Sequence, residues 1–190
     1  MTTRRDLIRA EAGQRLEEVQ RSQDHSDPNI RALGLGSLDR MGHLTDEMLR
    51  SALLDPDRSV CVRAIELSVD RASVNLSDLL SHDDDLVVET AAWALGERPN
   101  VDPDIIRLLT TVAQEHDVSI CREAAIAALG AIGDPDGLPA ILGGLKDRAP
   151  VRRRAVLALA PFDSPEVTMA LETALQDRDR QVRQAAEDLL

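Results

Sequence analysis

A chain of 190 residues with 43% apolar residues is long enough to bury a core, and with aromatics at 1% that core is built of Ala, Leu, Val and Ile, which suits close helix packing, so helices are expected throughout. A formal net charge of −12 speaks against a broad phosphate-binding face, which needs clustered cations, and against an anionic membrane surface. No apolar run is long enough to cross a bilayer and no secretory leader opens the chain, so a cytoplasmic protein is expected.

In chain order, the first outer helix is predicted from Arg5 to about Asp24. Its inner stripe is Leu7, Ile8, Ala12, Leu16 and Val19; Glu11, Gln14, Arg15, Glu17, Glu18 and Arg21 face water. Such a polar helix suits the end cap that a helical stack needs. Asp27-Pro28 starts the first inner helix, which runs to about Arg40 and is weakened by Gly34 and Gly36, each by about 1 kcal/mol relative to Ala. The second outer helix begins near Thr45 and ends near Leu54; its inner partner spans Arg58 to about Arg71. A short third outer helix is predicted over Leu76 to Ser81 and a third inner one over Leu86 to Glu97, with Asp83-Asp84-Asp85 at its positive end. Asp102-Pro103 opens a fourth outer helix to about Glu115. Cys121 to Leu129 is the fourth inner helix, with Gly130 and Gly133 free to take the left-handed conformation that ends it. The fifth outer helix follows Asp136, and its inner partner runs from Pro150 to Ala160. Ser164-Pro165-Glu166 starts the sixth outer helix, and the last inner helix ends at Leu190. That last helix shows no obvious polar cap, so a trimmed chain or a packed end is expected there.

The inner helices share one register. Ile30, Val60, Val87, Cys121, Val151 and Val182 open them at intervals of 27 to 34 residues. Each has a small residue at +4 (Gly34, Ala64, Ala91, Ala125, Ala155, Ala186), and all but the second have Leu at +8, where Ser68 intervenes. Positions 0, +4, +7 and +8 fall on one stripe, and a repeat of this length with two helices marks an α-solenoid. One domain over 1–190 is expected, with units at 5–42, 43–72, 73–98, 99–133, 134–162 and 163–190.

The pattern D-x-x-x-x-V-R…A-A…L-G resembles HEAT repeats, in particular the short HEAT-like repeats associated with phycobilin lyases. The matching residues are Asp55-Pro56-Asp57 before Val60, Val118 to Gly130, Asp147 to Leu159, and Asp177 to Leu190. The resemblance implies an all-α fold, a right-handed α-α superhelix of about six helical hairpins. It also implies that the Arg at +1 (Arg31, Arg122, Arg152, Arg183) and the preceding Asp tie the turn between the two helices; Cys61 and Val88 replace that Arg in the second and third units.

Chemistry is harder to find. His25, His82 and His116 all stand five places before an anchor, where Asp55 and Asp177 stand in other units, so they are expected to cap turns. Equivalent side chains of helices about 8–10 Å apart cannot share one ion. Deoxyhypusine hydroxylase, a HEAT-like enzyme, uses His-Glu pairs that this chain lacks. Nucleophilic triads, an EF-hand loop and a phosphate loop are missing too. Cys61 and Cys121 are expected buried, reduced and unpaired. No catalytic residue, metal or cofactor is therefore expected.

What remains is a surface. Positions +2, +6 and +9 of the inner helices, with +3 at the flank, face a concave side that carries Arg63, Glu66, Glu89, Trp93, Glu123, Arg153, Arg154 and Leu157. Trp93 is either an anchor for a partner or the filler of a gap between small residues. Arg152-Arg153-Arg154, the one basic cluster, is read as solvated or turn-tying. The expected function is a non-enzymatic scaffold that binds another protein, as a monomer or as a weak dimer through the C-terminal end. The family resemblance alone adds a phycobilin lyase-like, tetrapyrrole-handling alternative, and more weakly a HEAT-like DNA glycosylase, which the acidity disfavours.

Overall fold

The computed structural model describes residues 3–12 and 16–190, with side chains over 3–8 and 16–190. Among these residues every regular element is an α-helix or a 3-10 turn, and the paired helices make an α-solenoid. They form two compact units, Met1–Leu76 and Ser77–Leu190.

In the first unit, α1 (Arg4–Ala12) and α2 (Leu16–Arg21) stand where the sequence predicts one continuous helix. Gln14, Arg15 and the side chains of Glu11 and Ala12 lie outside the described residues. Leu7 and Val19 are buried as predicted. Ile8 is not: it is 55% exposed, because one residue on from buried Leu7 the helix has turned about 100° off the packed stripe. Next come α3 (Pro28–Arg40), α4 (Asp46–Ala52) and α5 (Arg58–Glu66), with α5 packed on both α3 and α4. Asp27, Thr45 and Asp57 cap them by accepting the backbone N–H of Asn29, Met48 and Ser59. The predicted run of α5 to Arg71 stops at Glu66. Ser68 replaces the usual +8 Leu, and its Oγ donates back to the Ala64 carbonyl at 2.6 Å, a bond that competes with the helix.

The second unit opens on a 3-10 turn, Ser77–Ser81, in place of the predicted third outer helix. It continues through α6 (Asp85–Gly96), α7 (Pro103–Glu115), α8 (Ser119–Ile132), α9 (Leu138–Gly144), α10 (Ala149–Ala158), α11 (Pro165–Ala174) and α12 (Arg180–Glu187). The inner helices pack in series, α6 on α8, α8 on α10 and α10 on α12. Their predicted stripe is buried: Val87, Ala91, Ala94 and Leu95 in α6, then Cys121, Ala125, Ala128 and Leu129 in α8, then Val151, Ala155, Ala158 and Leu159 around α10. Position +5 is buried as well (Ala92, Ile126, Val156), since an inner helix has neighbours on both flanks. The last repeat departs from this. α12 ends at Glu187, that residue occupies +5, and Leu190 at +8 is 61% exposed.

Two glycines set helix spacing. A Cβ on Gly96 would lie 2.7 Å from the Ala128 Cα, and one on Gly130 would lie 2.7 Å from the Ala158 Cα. Gly130 is therefore a close-contact residue inside α8, not the predicted left-handed terminator. Gly133, at φ 69°, has that role alone.

The Arg–Asp tie links adjacent repeats, which corrects the expectation of a tie confined to one hairpin. Arg31 Nη1 donates to the His25 and Ser26 carbonyls of its own turn, while Nε and Nη2 clasp Asp55 of the next turn, both at 2.7 Å. Arg122 holds Asp147 in the same way, and Arg152 holds Asp177. These forks keep the three carboxyls below the usual carboxylate range. The histidines cap turns as expected. Nδ1 of His25, His82 and His116 accepts the backbone N–H two residues on, just as Asp55 and Asp177 do. The sequence pairs these substitutions. Where Arg gives way to Cys61 or Val88, the following turn carries His82 or His116 in place of Asp.

Candidate functional site

In the second unit the close contacts Gly96–Ala128 and Gly130–Ala158 lie near the C-terminal ends of α6, α8 and α10. On the side opposite the buried stripe they leave a groove of about 430 Å³. α6 contributes Glu89, Trp93 and Glu97. α8 contributes Ile120, Glu123 and a floor of Ala124, Ala127 and Ala131. α10 contributes Arg154. The hollow continues between α8 and α10, over Ala127, Ala131 and Arg154 to Leu157.

Five of the residues predicted for a concave face thus come together here: Glu89, Trp93, Glu123, Arg154 and Leu157. Trp93 is 45% exposed and lines the groove with the alanines of α8, and Ile120 beside it is 46% exposed. Arg154 Nε lies 3.5 Å from Glu123 Oε1 and spans α8 and α10. The basic cluster divides by position. Arg152 is buried in its tie, Arg153 is exposed and does not line the groove, and Arg154 enters it. Arg63 and Glu66 belong to the first unit, where they pair on α5 at 2.8 Å.

Glu97 and Ile120 were missed by sequence reasoning. They stand at +10 and −1, and a helical wheel places both beside +6, so that signal was present in the sequence. With Glu89, Glu97 and Glu123 against Arg154 alone, the groove is acidic around an exposed indole.

One group of metal-ligating types occurs among the described residues: Asp85, His116 and Cys121, their ligand atoms within 4.8 Å of one another. It joins neighbouring repeats, an arrangement that comparing equivalent positions overlooks. His116 Nδ1 accepts from the Val118 N–H, so the neutral ring carries its proton on Nε2, 3.9 Å from the Asp85 carboxylate. Burial first, then the charges of Asp85 and Glu89, push the Cys121 thiol up to about 11. Cys121 therefore stands as the neutral thiol. A cation bound there would have to displace the Nε2 proton and break the Val118 bond.

Comparison with known proteins matches this architecture. The HEAT repeats family model matches residues 47–130 and 72–160, and that of the PBS lyase HEAT-like repeat matches 151–177. No curated protein matches the chain. Among solved structures, a designed armadillo repeat protein in complex with the peptide (KR)4 is similar at 17% identity and TM-score 0.65, over 90% of this chain and 96% of that one. An engineered protein is similar at 20% identity and TM-score 0.64, over 92% and 96%. A chain of the Kap95p–RanGDP complex is similar at 17% identity and TM-score 0.52, over 96% of this chain and 30% of that one. The in-register buried stripes, the Arg–Asp ties between successive repeats and the match over residues 47–160 together make this chain a member of the HEAT repeat family.

Proposed function

We propose that this protein is a non-enzymatic adaptor, and that the groove of α6, α8 and α10 captures a basic, partly aliphatic segment of a partner protein. The observation that carries the reading is Trp93, half exposed on an alanine floor and ringed by Glu89, Glu97 and Glu123. An indole face flanked by carboxylates attracts Lys and Arg through charge and cation–π contact, while Ile120 and Leu157 offer apolar area. The similar designed armadillo protein, whose ligand is a (KR)4 peptide, supports this choice of ligand chemistry.

The match to the PBS lyase HEAT-like repeat keeps a tetrapyrrole-handling reading in view. The groove chemistry favours it less, because tetrapyrrole propionates would meet three glutamates. An extended phosphate backbone would meet the same repulsion, which weighs against a DNA glycosylase-like role.

Trp93 is the sole tryptophan, so its emission reports on the groove directly. Titration with (KR)4 peptide should shift or quench it saturably, and Glu89→Lys with Glu123→Lys should weaken binding about tenfold. Replacing Trp93 and Arg153 together should also weaken partner capture in a pull-down, chiefly through Trp93. An unchanged emission together with unchanged capture would reject this groove. A shifted absorption spectrum on mixing with bilin would favour the tetrapyrrole reading instead.

A further inference from the structure

The charges of the Trp93 groove are sorted across it. Glu89 and Glu97 stand on α6 beside Trp93, Glu123 stands on α8, and Arg154 comes from α10. Among the described residues the carboxylates of Glu89 and Glu97 accept no hydrogen bond and form no ion pair. Arg154 is hardly more engaged. Its one hydrogen bond among the described residues joins Nε to Glu123 Oε1 at 3.5 Å, longer than a usual N–H···O bond, while Nη1 and Nη2 make none. The groove thus carries open negative charge on one wall and an open guanidinium on the other.

An open guanidinium takes a carboxylate best, because its paired nitrogens match the two oxygens. Arg31, Arg122 and Arg152 of this chain each hold an Asp in that way. The trough does not stop at Arg154 but runs on over Ala158 and Ala160 to Leu157 and Pro161. A segment lying in it would pass Arg154 with an internal acidic residue and then meet apolar surface. Neighbouring helices about 8–10 Å apart, with Arg154 leaning back toward α8, set the two walls about 10–14 Å apart, which is the reach of three or four extended residues.

Resting on the reading of this groove as a peptide site, we propose that it selects for charge order. A Lys or Arg of the partner lies over Trp93 between Glu89 and Glu97. Three or four residues on toward α10, an internal Asp or Glu is held by Arg154, and an apolar residue follows against Leu157. A purely basic segment meets only half of this pattern, since one of its cations is brought up to Arg154.

The test uses the full chain and two capped peptides, Lys-Arg-Ala-Ala-Glu-Leu and Lys-Arg-Ala-Ala-Gln-Leu, each made in both chain directions and followed by Trp93 emission at low salt. In one direction the Glu peptide should bind about tenfold tighter than the Gln peptide. Arg154→Gln should abolish that difference and, by removing the groove's own cation, should tighten (KR)4 binding about threefold. Arg154 is half exposed, so this variant should keep the helical circular dichroism signal. Arg153→Gln, exposed and off the groove, should change neither affinity. If (KR)4 binds but the Glu peptide is no tighter than the Gln peptide in either direction, or if its preference survives Arg154→Gln, the charge order is overturned and the groove stands. If (KR)4 and all four peptides leave Trp93 emission unchanged, the groove itself is rejected and the order with it.

Discussion

Arg122 grips Asp147 with two nitrogens, at 2.6 and 2.8 Å, while its third donates to the carbonyls of His116 and Asp117. One side chain thus closes the turn of its own hairpin and clamps the turn of the next, 25 residues on. Arg31–Asp55 and Arg152–Asp177 repeat the arrangement, so the ties act along the stack.

The Arg152–Asp177 tie should be the costliest to break, because Arg152 is 7% exposed and Asp177 16%. Arg152→Met should cost about 3 kcal/mol, since it leaves a shielded carboxylate without its partner. The double replacement R152M/D177L should cost less than the single. Urea denaturation of the four proteins of the cycle measures both values, and a double mutant that costs as much as R152M alone, or more, would contradict the account.

Gly96→Ala and Gly130→Ala should destabilise by about 1–3 kcal/mol even though Ala is the better helix former. The new methyl meets the Ala128 or Ala158 backbone, which cannot give way as a side-chain end can. Gly143→Ala is the control. Nothing lies within 4 Å of its Cβ, so it should stabilise by up to about 1 kcal/mol. Melting temperatures that move the same way in all three variants would refute close helix approach as the reason for these glycines.

The ties predict an acid limb. Asp55, Asp147 and Asp177 have folded pKa values depressed below the ordinary 3.8, chiefly by their guanidinium hydrogen bonds. Their contribution to stability is complete above about pH 4 and is lost as pH falls through the folded values. Melting temperature should therefore drop steeply below pH 4, and Asp177→Asn should flatten that slope.

Cys121 predicts the alkaline limb. Its folded pKa of about 11 stands above the ordinary 9.0, so the unfolded chain gives up the thiol proton first. Stability from this group holds below pH 9 and declines as pH rises toward 11. Cys121→Ala should remove that part of the decline. In the native protein Cys121 should react with a thiol reagent at pH 8 far more slowly than in urea.

Most of the helices, the register of the inner ones and the open side of α6 and α8 are legible in the sequence alone. A helix's own geometry maps positions 0, +4, +7 and +8 onto one stripe, and caps such as Asp27, Thr45 and Asp102 announce themselves locally. Glu89, Trp93 and Glu123 were legible as groove residues for the same reason. Tertiary structure alone decided which turn each Arg clasps, that Gly130 brings helices together rather than ending one, and that Arg40 and Arg63 converge on Gly36. Each of these depends on how closely neighbouring helices approach. That distance is set by packing between residues far apart in the chain, and a local periodicity carries no record of it.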